Sequence, residues 1–332
     1  MSEVYLNDIQ MKRESKSFID SLHAVLTAAG LFEGPKYMLS GLTGMAFKFT
    51  VHKQLLPMSV TAYGQWGIEH QAALDNLGIY TVSDGGFTRH PTSQSYRHEA
   101  TQWVKESLDQ GKGVIYWLPE FGVVHGYDDE DAVFFIQDGI SSEDQIVLYD
   151  NFGLNITPFW DIQLMGDKVD VPMKDMILES MRLALEDWNT PYKTLPSTDV
   201  ASGRLAFDYL AAGLERGIYD ETGAVYIMDS YIYSRKEIKN YLREAAEFWT
   251  DLQQVYELYS QLVHVMIEKQ AYFTETPSGR RVDREQFPLI LEHLHLAKGL
   301  EEQAMNCFKA ISARHPDPKR SVIPRWGAHI VR

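Results

Sequence analysis

The sequence predicts an α+β protein in which an antiparallel sheet is followed by a helical domain. Three observations carry this expectation. Within Gly111–Gly153, three apolar runs rich in β-branched and aromatic residues (Val114–Leu118, Phe121–His125 and Ala132–Ile136) alternate with short Gly, Pro and acidic segments, the pattern of consecutive strands joined by turns. Before this stretch, helical patterns end at glycines. After Gly153 the chain reads almost entirely as helices, so strands and helices are segregated rather than alternating.

Taken in order, residues 1–15 are a polar lead-in. Ser15 or Ser17 can cap a helix running through Phe18, Leu22, Val25 and Leu26 to Gly30, a natural stop. The next apolar segment, YMLSGLTGMAFKFTVH, is broken by Gly41 and Gly44, and Met45–His52 alternates as a strand would. The passage Gly41-Leu42-Thr43-Gly44 suits a close approach of backbone to a ligand or a helix. Gly64–Leu77 predicts a second helix carrying Trp66, Glu69 and His70, and Ser83–Ser95 predicts a loop. Tyr96–Gln110 is an amphipathic helix with Trp103, Val104 and Leu108 on one face and Gly111 as its stop.

Asp128–Asp131 is polar enough for a hairpin tip, and Pro158–Pro172 reads as an irregular passage. Helices are expected at Met173–Trp188 and Ser202–Gly217, once or twice within Ser234–Thr274, and at Arg284–His315. Pro316, Pro318 and Pro324 mark an extended tail. The expected division is one domain over residues 1–165 and a helical domain over 166–332.

Composition narrows the function classes. A net charge of -15 argues against nucleic-acid partners and anionic membranes, both of which call for a positive surface. The single cysteine, Cys307, excludes an internal disulfide and a CxxC metal site. No stretch has the apolar length of a membrane span, and the N-terminus lacks a signal-peptide core, so a cytoplasmic protein is expected. HExxH, GxSxG, GxxxxGK[ST] and GxGxxG are all absent, so no motif implies a metal or cofactor. His293 and His295 are two apart on a helix and point to different faces, unlike a ligand pair.

The chemistry-bearing residues concentrate around the strands: Glu120, His125, Asp138, Asp150 and Asn151. Glu120 follows a proline at a strand start and can project a carboxylate into a cleft as a general acid or base, or it can simply pair with a cation. His125, at the end of an apolar strand, reads either as a core histidine or as a second participant. Trp66, Glu69 and His70 share a helix face that lines a pocket or packs.

The pieces Leu39–Phe49 and Gly122–Asp129, within the order helix, GLTG segment, helix, then VIYW…EFGVVHGYDDED…QDG, resemble a known family. They are similar to the papain-like fold of the bacteriocin-processing cysteine peptidases, and more closely to the N-terminal domain of the butirosin-biosynthesis acyltransferases of specialised metabolism. The resemblance covers about residues 15–165. It implies a Cys nucleophile near a helix start, a His on a later strand and an Asp after the next one. In this chain those positions fall on Ser21 (or Ser17, aligned by Gly30), Glu120 and Asp138. A Ser-Glu-Asp set is not a thiol protease, because the low-pKa nucleophile and the neutral imidazole base are both gone.

Two functions follow as expectations. One is acyl transfer or related chemistry on a small-molecule or carrier-bound acyl substrate. Its catalytic residues would be Ser21, Glu120, Asp138 and His125. Ser17, Gly41, Thr43, Gly44, Trp66, Glu69, His70, Asp150 and Asn151 would contact substrate. The other is a catalytically degenerate relative that binds a metabolite or protein partner. The aromatics Tyr241, Phe248, Trp249, Tyr256 and Tyr259 suit core packing or a homodimer interface.

Overall fold

The computed structural model describes residues 3–60, 66–266, 272–277 and 279–317. In chain order the elements are β1 (Glu3–Tyr5), α1 (Ser17–Ala28), α2 (Lys36–Leu42), β2 (Thr50–His52), α3 (Trp66–Asn76), β3 (Ile79–Phe87), α4 (Ser93–Asp109), β4 (Val114–Leu118), β5 (Glu120–Asp128), β6 (Val133–Gln137), β7 (Gln145–Leu148) and β8 (Phe159–Lys168). They continue with α5 (Met173–Asn189), β9 (Val200–Ser202), α6 (Arg204–Arg216), α7 (Glu221–Phe248), α8 (Leu252–Val265), β10 (Phe273–Thr276), β11 (Gly279–Val282) and α9 (Phe287–Arg314). The architecture is mixed α and β, with an antiparallel sheet and helices following it.

The chain forms two compact units, residues 1–36 with 78–170, and residues 37–77 with 171–331. Tyr37–Leu77 clusters with the helical unit rather than with the sheet. Within that unit, Phe47 sets its ring edge-on to Tyr241, Tyr259 and Phe308 at 5.6–6.4 Å, which anchors the segment among the long helices.

In the first unit the sheet runs β3-β8-β4-β5-β6-β7, with β1 added beside β5. One face is covered by α4 through Ala100, Val104 and Leu108, which pack in one cluster with Val114, Tyr116, Val124, Phe134 and Ile136. The alternate residues face the other way, and there Phe121 meets Phe18 of α1 at 5.6 Å and Trp117 at 5.0 Å. With both faces covered, β4 and the body of β5 are buried at nearly every position, so they read as continuous apolar runs rather than alternating ones.

Several local expectations change. Met45–His52 is not one strand: Met45–Phe47 form a 3-10 turn after Gly44, which sits at φ 74°, and only Thr50–His52 extend. The expected loop at 83–95 is partly strand, because β3 pairs with β8 from Ile79 to Phe87 despite its SDGG sequence. The passage at 158–172 contains β8, whose Trp160, Ile162 and Leu164 alternate onto the α4 face while Asp161 and Gln163 face away. Within Ser234–Thr274 the helices are the tail of α7 and the whole of α8, broken at Trp249. Gly64, Pro318 and Pro324 lie outside the described residues.

Candidate functional site

Ser17 is the first residue of α1 and Glu120 the first of β5. The Ser17 hydroxyl donates a short hydrogen bond to Glu120 Oε2 and accepts the Phe121 N–H at 3.2 Å. Ser17 is completely buried (0% exposed). Arg13 places its guanidinium 3.6 Å from Glu120 Oε2 and 3.7 Å from Asp20 Oδ2. Its Nε is buried with no hydrogen-bond partner.

Asp20 fixes this approach. One turn into α1, it accepts the backbone N–H groups of Glu14 and Ser15 at 3.0–3.1 Å and the Lys36 ammonium at 2.7 Å. Burial pushes its carboxyl above the ordinary range, against the opposing pull of Lys36 and the two amides. The loop carrying Arg13 is thereby tied to the helix that carries Ser17.

Of the two serines considered from sequence, the structure pairs Ser17 with the carboxylate and not Ser21. Ser21, also at 0% exposure, turns its hydroxyl toward Met11 Sδ at 3.6 Å in the core. A helical spacing of four placed both serines on one face, so the sequence alone left the choice open.

His125 is the extra residue of a β-bulge in β5, since Val124 pairs with Ile136 and Gly126 with Phe135. The bulge turns its ring into the interior, 1% exposed, with Nε2 2.9 Å from Asp144 Oδ1. Tyr5 of β1 stacks edge-on at 4.5 Å and donates its hydroxyl to the same Asp144. His125 is therefore a core histidine that pins the added strand.

Asp138 forms a turn of its own loop. Oδ1 accepts the N–H groups of Ile140 and Ser141, each at 2.8 Å, and Oδ2 accepts Gln145 Nε2 at 2.9 Å. Burial pushes its carboxyl up, but these donors and the nearby Arg13 outweigh it and hold it below its ordinary value. Asp138 orients neither Glu120 nor a histidine. Asp150 and Asn151 are exposed on the 3-10 turn Tyr149–Asn151, where Asp150 borders a groove of about 550 Å³ beside α4.

The other expected contacts belong to the second unit. A Cβ on Gly41 would lie 2.1 Å from the Tyr241 ring, so the glycine admits an aromatic of the core rather than a ligand. Gly44 likewise lies against Leu183. The Thr43 hydroxyl donates to Leu39 O at 2.8 Å, capping the end of α2. Trp66 stacks on His70 at 6.4 Å, and burial lowers His70 to about 3, keeping its imidazole neutral.

Glu69 does reach a cavity, of about 80 Å³, bordered by Thr43, Lys48, Asp187 and Lys193 among others. Lys193 Nζ lies 2.7 Å from Glu69 Oε1 and makes a short contact with Asp187, while Lys48 Nζ lies 3.1 Å from Glu69 and 3.8 Å from Asp187. Burial would raise the Glu69 carboxyl, but the two ammoniums override it and hold Glu69 well below its usual range.

Sequence reasoning missed Arg13, Asp20 and Lys36 in the first unit, and Lys48, Asp187 and Lys193 in the second. Only Lys48 left a local signal, as a lone cation inside the apolar run MAFKF.

Among the described residues, no group of three or more His, Cys, Asp or Glu side chains is placed to hold a metal ion, and no helix is long and apolar enough to cross a membrane. Compared with protein-family models and with curated proteins, the chain matches none.

Proposed function

We propose that the protein is a catalytically silent relative of the papain-like acyltransferases that has kept the scaffold to bind a small metabolite. The observation that carries this reading is the state of Ser17. Its oxygen is fully buried, its proton is committed to Glu120, and its acceptor side is taken by the Phe121 amide. A nucleophile must present a lone pair to an incoming carbonyl carbon at about 3 Å. Phe18 and Phe121, the residues that follow Ser17 and Glu120 in the chain, meet edge-on at 5.6 Å. The imidazole that would take and return a proton is replaced by a carboxylate facing Arg13. Binding is supported in the second unit, where Thr43 and Glu69 border one small cavity with two lysines.

A second reading, acyl transfer on a small-molecule or carrier-bound acyl substrate, draws on one specific observation. A hydroxyl at the first residue of a helix, in hydrogen-bond contact with a carboxylate, is the ground-state arrangement of a nucleophile and its base. Intact-mass spectrometry after incubation with N-acetylcysteamine acyl thioesters separates the two. The silent reading expects no acyl adduct on wild type and the same slow thioester hydrolysis for Ser17→Ala. An adduct mapped to Ser17, abolished in Ser17→Ala, would replace it with the acyltransferase reading.

A further inference from the structure

The outer edge of the sheet in the first unit lacks the features that ordinarily keep a strand edge from pairing. β7 ends the strand order, and among the described residues no strand follows it. Its sequence, Gln145-Ile146-Val147-Leu148, has no lysine, no proline and no bulge against β6, the devices that block an edge elsewhere. The Tyr149 N–H donates to Ala132 O at 2.9 Å. By antiparallel alternation Val147 and Gln145 also turn their backbone groups toward β6, and Ile146 and Leu148 turn their N–H groups outward.

The side chains along this edge are apolar and open. Val147 packs into the cluster beside α4, and its neighbour Ile146 faces the other way. Ile146 is 66% exposed and Leu148 49%. Ile146 ends a cross-strand row in which it pairs with Phe135, Phe135 with Gly126, and Gly126 with Tyr5. The Tyr5 and Phe135 rings meet at 5.6 Å across that glycine. The row is therefore packed as far as Ile146 and open beyond it.

Charge determines what kind of strand fits. Residues 128–150 contain eight Asp or Glu and no Lys, Arg or His. Glu143 and Asp144 precede β7 and Asp150 follows it. Tyr149 ties the β5–β6 turn to that second end by donating to Asp129 Oδ1 at 3.0 Å. The cations facing this region are fewer. Lys105 pairs with Asp129 at 2.6 Å, Arg13 lies near Asp138, and Arg97 and His98 border the groove that Asp150 borders. Asp144 is held by His125 and Tyr5. Glu130, Asp131, Glu143 and Asp150 have no ion pair among the described residues. Both ends of the edge are thus acidic. Antiparallel self-pairing of two copies through β7 would set acidic end against acidic end, which disfavours a second copy as the occupant.

We propose that β7 is a docking edge for another protein, whose extended segment adds to it as a further strand. That segment carries β-branched residues at alternate positions and Lys or Arg at both ends. The outward N–H groups of Ile146 and Leu148 bond its backbone, Ile146 packs against its apolar side chains, and the carboxylates at the two ends pair with its cations. This goes beyond the metabolite reading and uses none of the cavity residues.

The test is fluorescence anisotropy of the full-length protein with the labelled peptide KKTVTVTKK. Saturable binding is expected, weakening as salt rises and at least about tenfold weaker for EETVTVTEE. An added strand turns only alternate N–H groups to the edge. Of two peptides N-methylated on the valines or on the threonines, one should therefore lose binding to the wild-type protein and the other keep it. Ile146→Pro removes an outward N–H and no charge, and with an unchanged circular-dichroism spectrum it should weaken the parent peptide at least about tenfold. No binding, equal binding of the two methylated peptides, or an unchanged affinity in a folded Ile146→Pro overturns the proposal. A dimer in sedimentation that Ile146→Pro disperses also overturns it, since a second copy would then hold the edge.

Discussion

Asp84 and Asp161 lie on neighbouring strands where Gly85 pairs with Asp161, and burial pushes both carboxyls above the ordinary range. For Asp161 the charge of Asp84 adds to burial. A carboxyl whose folded pKa is raised stabilises the fold in its protonated form, so its contribution is complete below about pH 4, the unfolded value, and is lost as pH rises through the folded one. Asp161→Asn should therefore raise the melting temperature by several degrees at pH 7–8 and change it little near pH 3.5. A shift of equal size at both pH values would mean that titration is not the cause. At this scale the sequence told part of the story. Glu120 was reached from its place after a proline at a strand start, and Ser17, as the alternative to Ser21, through the family resemblance. The role of Asp20 was not, because it depends on where the loop 12–16 returns, and the Lys48–Lys193 pair depends on contacts across more than a hundred residues.

Among the elements, Gly41 makes the sharpest demand. Tyr241 is buried and its ring fills the space where a side chain at 41 would begin, 2.1 Å from the Cβ position. Gly41→Ala must displace a ring packed on all sides, and we expect a loss of about 1–3 kcal/mol in urea unfolding, the usual cost of overpacking. A change below about 0.5 kcal/mol would show that the two helices part without penalty. The strands β4, β5 and β6 were legible because both-face burial enforces apolar runs and turn residues separate them. β3 and β8 were hidden for a physical reason: SDGG and DIQLMGDK have poor local propensity, and the strands exist through pairing with each other and with β4. The bulge at His125 was likewise invisible, since a one-residue register shift leaves no mark on composition.

At the scale of the whole molecule, the two units are discontinuous, and the chain passes between them near residues 36, 77 and 170. The early segment supplies the helical unit with Phe47 and with the Ala46 carbonyl, which accepts from the buried Arg235 that pairs with Glu301 at 2.8 Å. A fragment of residues 171–332 alone should give a broad thermal transition with reduced helicity, and adding back 37–77 by fusion should sharpen it. Cooperative melting of the fragment with full helicity would contradict that division. No local pattern signals such an exchange, because the segment's apolar residues could serve either core. What the molecule does as a whole turns on whether the Ser17–Glu120 pair reacts, and one measurement decides this most directly: intact-mass spectrometry with an acyl thioester on wild type beside the double variant Ser17→Cys/Glu120→His. The account expects both proteins to stay unmodified, since residue 17 is fully buried and closed to an acyl group whichever nucleophile stands there. Acylation at residue 17 of either protein would contradict it.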